Sequence, residues 1–306
     1  SISWIDLKAR GKATIIQGTF LSDQILKVTG NEVKIKGGDF TSKGKIEITG
    51  GKSLVVGNKR ESVPSFSAAT TLDFTGPKIT FLNAQLWGGN HIKATALQGE
   101  IEILGAYFAA ISEKLVHLHA QKINVQGGYL KGLEKVYLQA GTEGLTLNNT
   151  QGLPILHSNK LIHLSSDGLL DLLQGQYTSA GNITISAKNH LAVGSDTTTL
   201  TLIANKELTL AGPEVTLNKA ELTGFEKIEI TADILKVGSL KVGPTLESNT
   251  QITLNGKQKA TFNKGSFNAH HLTLEGGELD LNGGNFKGTQ KVEVKAGTGG
   301  LTVGSE

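Results

Sequence analysis

The sequence predicts an all-β fold, a right-handed parallel β-solenoid of about fourteen coils of 20–26 residues each. Three observations predict it. Short apolar-x-apolar triplets recur along the whole chain, and a small residue returns at one fixed place in the repeat. Units this short cannot bury an apolar face alone, so they must cover one another by stacking.

The triplets open each unit. Their central residues are Asp6, Lys27, Glu47, Asp73, Lys93, His117, Tyr137, His163, Thr184, Thr209, Glu229, Thr253, Thr273 and Glu293. Period-2 alternation sends these outward and their two apolar neighbours inward. A second strand follows, in two kinds. Nine units read apolar-x-apolar-x-x-small-x-large, as in "VKIKGGDF" (33–40) and "INVQGGYL" (123–130). The small position is always Gly or Ala, where the backbone bends or approaches a neighbour. The large residues, Phe20, Phe40, Leu86, Phe108, Leu130, Tyr177, Leu222, Phe267 and Phe286, are predicted to stack in an interior ladder.

The other five units, such as "SLVVGN" and "GLTLNN", lead into longer excursions at 58–69, 149–159, 195–205 and 239–249. All four leave from the same point of the coil. They are expected to decorate one edge, with Phe66, Ile155, Leu202 and Leu246 packing on the stack or on a partner. Gly76-Pro77 and Gly212-Pro213 share one spacing from their triplets, which places both prolines in a turn where no ladder N–H is needed. At about 4.8 Å between strands the whole stack would be on the order of 65 Å long. Strands half the length a transmembrane barrel needs, and too few aromatics for girdles, argue against that fold. A sandwich would not repeat a small residue at one coil position.

Composition narrows the function. Thirty basic and 27 acidic residues are spread evenly, and only Arg10 and Arg60 are arginines, so nucleic acid is not an expected partner. Zero cysteine removes disulfides and thiolate metal sites. No stretch approaches a spanning helix, so membrane insertion is not expected either. The absence of methionine, even at position 1, suggests a processed or excised segment.

Catalysis is not expected, and no cofactor or metal is. Glycosidic hydrolysis needs two carboxylates across a cleft, and lyase chemistry needs a base with a cation. The best carboxylate cluster, Glu275, Glu278, Asp280 and Glu293, reads more simply as a solvated strand face. His117, Tyr137 and His163 fall at the same outward position on consecutive coils and form a candidate surface ladder, for which structure is the simpler reading than a sugar or metal site. His119 lies on the same face as His117 with no further ligand to complete a metal set. Thr184, Thr209, Thr253 and Thr273 share that column, but Glu229 interrupts them and spoils an ice-binding array.

At "NITISAKNHLAVGS" and "KVYLQAGTEGLTLNN" the pattern resembles the haemagglutinin-type repeats of two-partner-secreted exoproteins, the filamentous-haemagglutinin and contact-dependent-inhibition group. The resemblance covers essentially the whole chain. It implies a right-handed β-helical fibre exported across an outer membrane, extracellular or at the cell surface, serving as adhesin or toxin stalk. The chain departs from it in lacking any Asn-Pro dipeptide and in alternating coil lengths.

The expected function is therefore a structural or adhesive filament segment, with residues 1–306 a single solenoid domain within a longer fibre. The alternative is a solenoid carbohydrate-active enzyme or a phage-type receptor-binding spike. Neither end of the sequence reads as a cap, because terminal coils of a solenoid expose unpaired edges and apolar core. Self-stacking is the expected partnership, through Val292, Val294, Leu301 and Val303 of one copy and Ile5, Leu7, Ala13 and Ile15 of the next, or by continuation of a longer chain. A host-cell or glycan receptor is the expected external partner.

Overall fold

The structure is a computed structural model that describes residues 2–58 and 63–304. These residues form an all-β parallel β-solenoid of about fourteen turns, with no helix among them. Arg60 and positions 59–62 of the first excursion lie outside the described residues. The chain divides into two compact units, Ser1–Asn159 and Lys160–Glu306.

In the first unit a coil has three strands. The first two often run together as one strand turning a corner, as in Ile25–Ile35, Lys45–Val56 and Leu115–Val125. The pairing register shifts at that corner, between Gly30 and Glu32 for example. A short third strand closes each coil: Thr19–Ser22, Asp39–Ser42, Ser65–Ala68, Gln85–Gly88, Ala109–Ser112, Tyr129–Gly132 and Ile155–Ser158. The triplet centres Asp6, Lys27, Glu47, Asp73, Lys93, His117 and Tyr137 are parallel Cα partners in unbroken succession. Pro77 falls between Thr71–Thr75 and Lys78–Phe81, and its carbonyl accepts the Glu100 N–H at 3.0 Å.

The second unit repeats the plan. His163, Thr184, Thr209, Glu229, Thr253, Thr273 and Glu293 are successive partners. The register passes from Gly212↔Ala232 to Glu214↔Ile234, so Pro213 takes no place in the ladder. In both units coil length varies without disturbing the first-strand column, because extra residues enter at the corner between the first and second strands and between the second and third strands.

The core follows from the inward columns. Leu26, Ile46, Leu72, Ile92, Val116 and Val136 occupy one of them and are almost wholly buried. Removing each from water contributes roughly 1.5–3 kcal/mol. The third strands carry the aromatic ladder. Phe20 stacks on Phe40 with centroids 4.9 Å apart, and Phe40 on Phe66 at 4.7 Å. In the second unit Phe267 stacks on Phe286 at 5.0 Å.

Of the two expected placements, on the stack or on a partner, Phe66, Leu202 and Leu246 take the first, inside the stack and not on a decorated edge. Phe66 is the partner of Phe40 and Leu86, Leu202 of Tyr177 and Leu222, and Leu246 of Leu222 and Phe267. None is more than 1% exposed, so no partner can reach them. Each excursion ends by delivering the third strand, which the inserted residues displace in the sequence count. Ile155 is one place out of the column: it lies half-buried on the outward side, partnered with Tyr129, while Leu156 fills the interior. Phe108 also differs from its expected place. Ala110 takes the column position between Leu86 and Leu130, and Phe108, two residues earlier, fills the interior against Phe81 at 5.1 Å.

A second inward column on the third strands holds only small residues: Ser22, Ser42, Ala68, Gly88, Ser112, Gly132 and Ser158 in the first unit. There the coil closes on its own next first strand, and the serines satisfy the turn. Ser42 Oγ donates to the Gln24 carbonyl at 3.0 Å and accepts the Gly44 N–H at 3.2 Å. Ser112 does the same with Asn90 and Lys114. This removes a buried backbone group that would otherwise go unpaired.

Candidate functional site

His117 and Tyr137 stand on neighbouring first strands of the first unit, their rings 6.0 Å apart and nearly perpendicular. His163 stands on Leu161–Ser166 of the second unit, next to Thr184. His119 lies beside His117 at 6.0 Å with near-parallel rings, and Lys93 is the partner of His117 on the preceding coil. The imidazole of His117 is half-buried, and its Nε2 is enclosed without a hydrogen-bond partner among the described residues. Among the described residues no three His, Asp or Glu side chains converge as metal ligands.

Burial holds His117 below the ordinary histidine value of 6.5, and the neighbouring His119 and Lys93 push the same way. Burial also lowers His91, His157 and His163. The unfolded chain therefore takes up protons near pH 6.5 while the folded chain resists them. Stability is fully present above that value and falls as pH drops through it toward the lower folded values. The urea midpoint is expected to fall between about pH 7.5 and about pH 5.5, and less steeply in His117→Gln. A flat profile across that window would show that these histidines protonate equally in both states.

The acidic cluster of the second unit is neutralised by lysine. Lys259 Nζ lies 2.5 Å from Glu278 and 2.9 Å from Asp280, and Lys295 lies 3.1 Å from Glu275 and 3.2 Å from Glu293. Lys291 and Lys295 hold Glu293 below the usual carboxylate range. A general acid needs the opposite shift. One carboxylate pair, Glu47 and Asp73, falls at consecutive triplet centres and stands as partners on adjacent first strands. Burial pushes Asp73 up, whereas hydrogen bonding to Lys45 pulls Glu47 down. Opposed shifts are what acid-base catalysis uses, but Glu47 is occupied by Lys45 and lies 3.5 Å from Lys27.

The outward side of the third strands is silent in the sequence, because a lone tryptophan in a strand reads equally as core. Trp87 is 41% exposed there, between Ser67 and Ile111 on adjoining strands. At the coil Asn285–Val303 of the second unit, Val292, Val294, Leu301 and Val303 continue the interior columns of Leu272, Leu274, Leu279 and Leu281. They are 44%, 39%, 51% and 72% exposed, against complete burial of Leu272, Leu274 and Leu279. In the first unit Ile5, Leu7, Ala13 and Ile15 belong to one coil, half-buried, and cover the fully buried Leu26, Val28 and Ile35 and the almost fully buried Val33. Among the described residues no helix is long and apolar enough to cross a membrane.

Comparison with known proteins agrees with this architecture. The haemagglutinin repeat profile matches residues 5–76, 178–258 and 245–303. No curated protein and no solved structure matches the chain. The matched stretches take in first-strand columns of both units and more than half of the sequence, and on that ground the chain belongs to the haemagglutinin repeat family.

Proposed function

We propose that the chain is a non-catalytic structural and adhesive segment of a secreted or surface-displayed fibre, in which its coils stack on further coils of the same kind. Proteins of the haemagglutinin repeat family are typically secreted or surface-exposed, which supports that setting. The observation that carries the proposal is the haemagglutinin repeat profile matched along coils whose parallel strands stack in register within each unit. A coil at either end of any such stack presents apolar side chains and strand edges at the solenoid pitch, and another coil satisfies both. The side walls, with their lysine-carboxylate ladders, remain for contact with other surfaces.

The adhesive part is tested by coating beads with the 306-residue chain and measuring attachment to erythrocytes and epithelial cells. Attachment above that of albumin-coated beads is expected. The enzyme alternative has one observation in its favour, the opposed shifts of Glu47 and Asp73. Incubation with a panel of acidic and neutral polysaccharides is expected to release neither reducing ends nor unsaturated products. Release that disappears in Asp73→Asn would replace the structural reading with a catalytic one.

A further inference from the structure

Three consecutive third strands of the first unit, Ser65–Ala68, Gln85–Gly88 and Ala109–Ser112, present six outward side chains. In register these are Ser67, Trp87 and Ile111 in one row and Ser65, Gln85 and Ala109 in the other. They line a shallow depression of about 340 Å³, in which the indole stands between Ser67 on one side and Ile111 on the other. None of the six is charged, and the first charges along the rows are Asp39 and Lys131, one coil beyond on either side. This differs from the other outward faces of the unit, where Lys78 pairs with Glu100 and Lys45 with Glu47.

We propose that this depression is a subsite for a neutral pyranose unit of a glycan. The indole of Trp87 supplies an apolar platform for the C–H face of the ring, since an aromatic face is electron-rich and a sugar C–H face is weakly positive. Ser65, Ser67 and Gln85 supply hydroxyl and amide groups that both donate and accept, as sugar hydroxyls require. Absence of charge disfavours a sulfated or phosphorylated ligand. Size disfavours a protein. Three strands of four residues span about 14 Å by about 13 Å, or roughly 190 Å². A stable protein interface needs about 800 Å² per partner. One or two sugar rings fit that area.

The inference deepens the adhesive reading and rests on it for its biological setting. Replacing Trp4 by phenylalanine leaves Trp87 as the only tryptophan of the chain, so its emission reports the site directly. The probes are tetrasaccharides of glucose, galactose, mannose and N-acetylglucosamine, with a heparin tetrasaccharide as the charged control. At least one neutral tetrasaccharide is expected to shift the emission saturably. By calorimetry Trp87→Ala is expected to weaken its binding by at least about tenfold. The melting temperature should be unchanged, because the side chain lies outside the core.

The inference is overturned if no neutral tetrasaccharide acts up to about 10 mM, if only the heparin probe does, or if binding survives in Trp87→Ala. A changed sedimentation coefficient in Trp87→Ala would overturn it in favour of a protein contact. Cell attachment by the unaltered chain with no neutral saccharide bound removes the subsite and leaves the adhesive reading intact. Saccharide binding without cell attachment does the reverse.

Discussion

Phe66→Ala is expected to destabilise the first unit by about 3–5 kcal/mol, measured by urea unfolding. The ring is 1% exposed, stacks on Phe40 at 4.7 Å and meets the edge of Phe74 at 5.6 Å, so truncation opens a cavity within the aromatic ladder. Phe66→Leu is expected to recover most of the loss, because leucine already holds the same column at Leu86, Leu130 and Leu156. A contact residue on a decorated edge would behave differently. Its truncation would change stability by no more than about 0.5 kcal/mol and act on binding instead.

Gly38→Ala is expected to cost about 2–4 kcal/mol although it adds a single methyl group. Its φ of +104° lies in the left-handed region that side chains rarely adopt, and a Cβ there would sit 2.7 Å from the carbonyl oxygen of Gly18 on the preceding coil. Backbone of that preceding coil cannot move aside without breaking the ladder. Gly11→Ala is the control. A Cβ on Gly11 would meet no atom within 4 Å, and the residue has no positive φ, so its replacement should leave stability within about 0.5 kcal/mol.

Gly38 also shows why so much of the fold is legible in the sequence. A tight approach of coil on coil demands a small residue at one place, and a two-residue period fixes which side chains face inward. Together these set the first-strand column from Asp6 to Tyr137 and from His163 to Glu293. The third strand is harder to read. After the excursions its distance from the second strand changes, so Phe66, Leu202 and Leu246 resemble loop decoration in the sequence, and Ile155 stands out where Leu156 is the interior residue. Phe108 misleads because a large apolar residue two positions early satisfies the same pattern. The small column of Ser22, Ser42 and Ser112 does leave a signal, a Ser, Ala or Gly two residues after each large one. The candidate sugar site leaves none, since exposure of Trp87 depends on which strand face it occupies and on the neighbours, Ser67 and Ile111, that adjoining coils place beside it.

The stacking of coil on coil is the central claim, and sedimentation velocity of the 306-residue chain over increasing concentration tests it most directly. Head-to-tail contact between unlike surfaces does not close, so assemblies should lengthen with concentration. Val294→Lys combined with Leu301→Lys places two charges in the junction, where desolvation costs several kcal/mol, and should return the protein to monomers. A chain that stays monomeric at high concentration with both terminal coils protected from hydrogen exchange, or assemblies unchanged by the two lysines, would contradict the account.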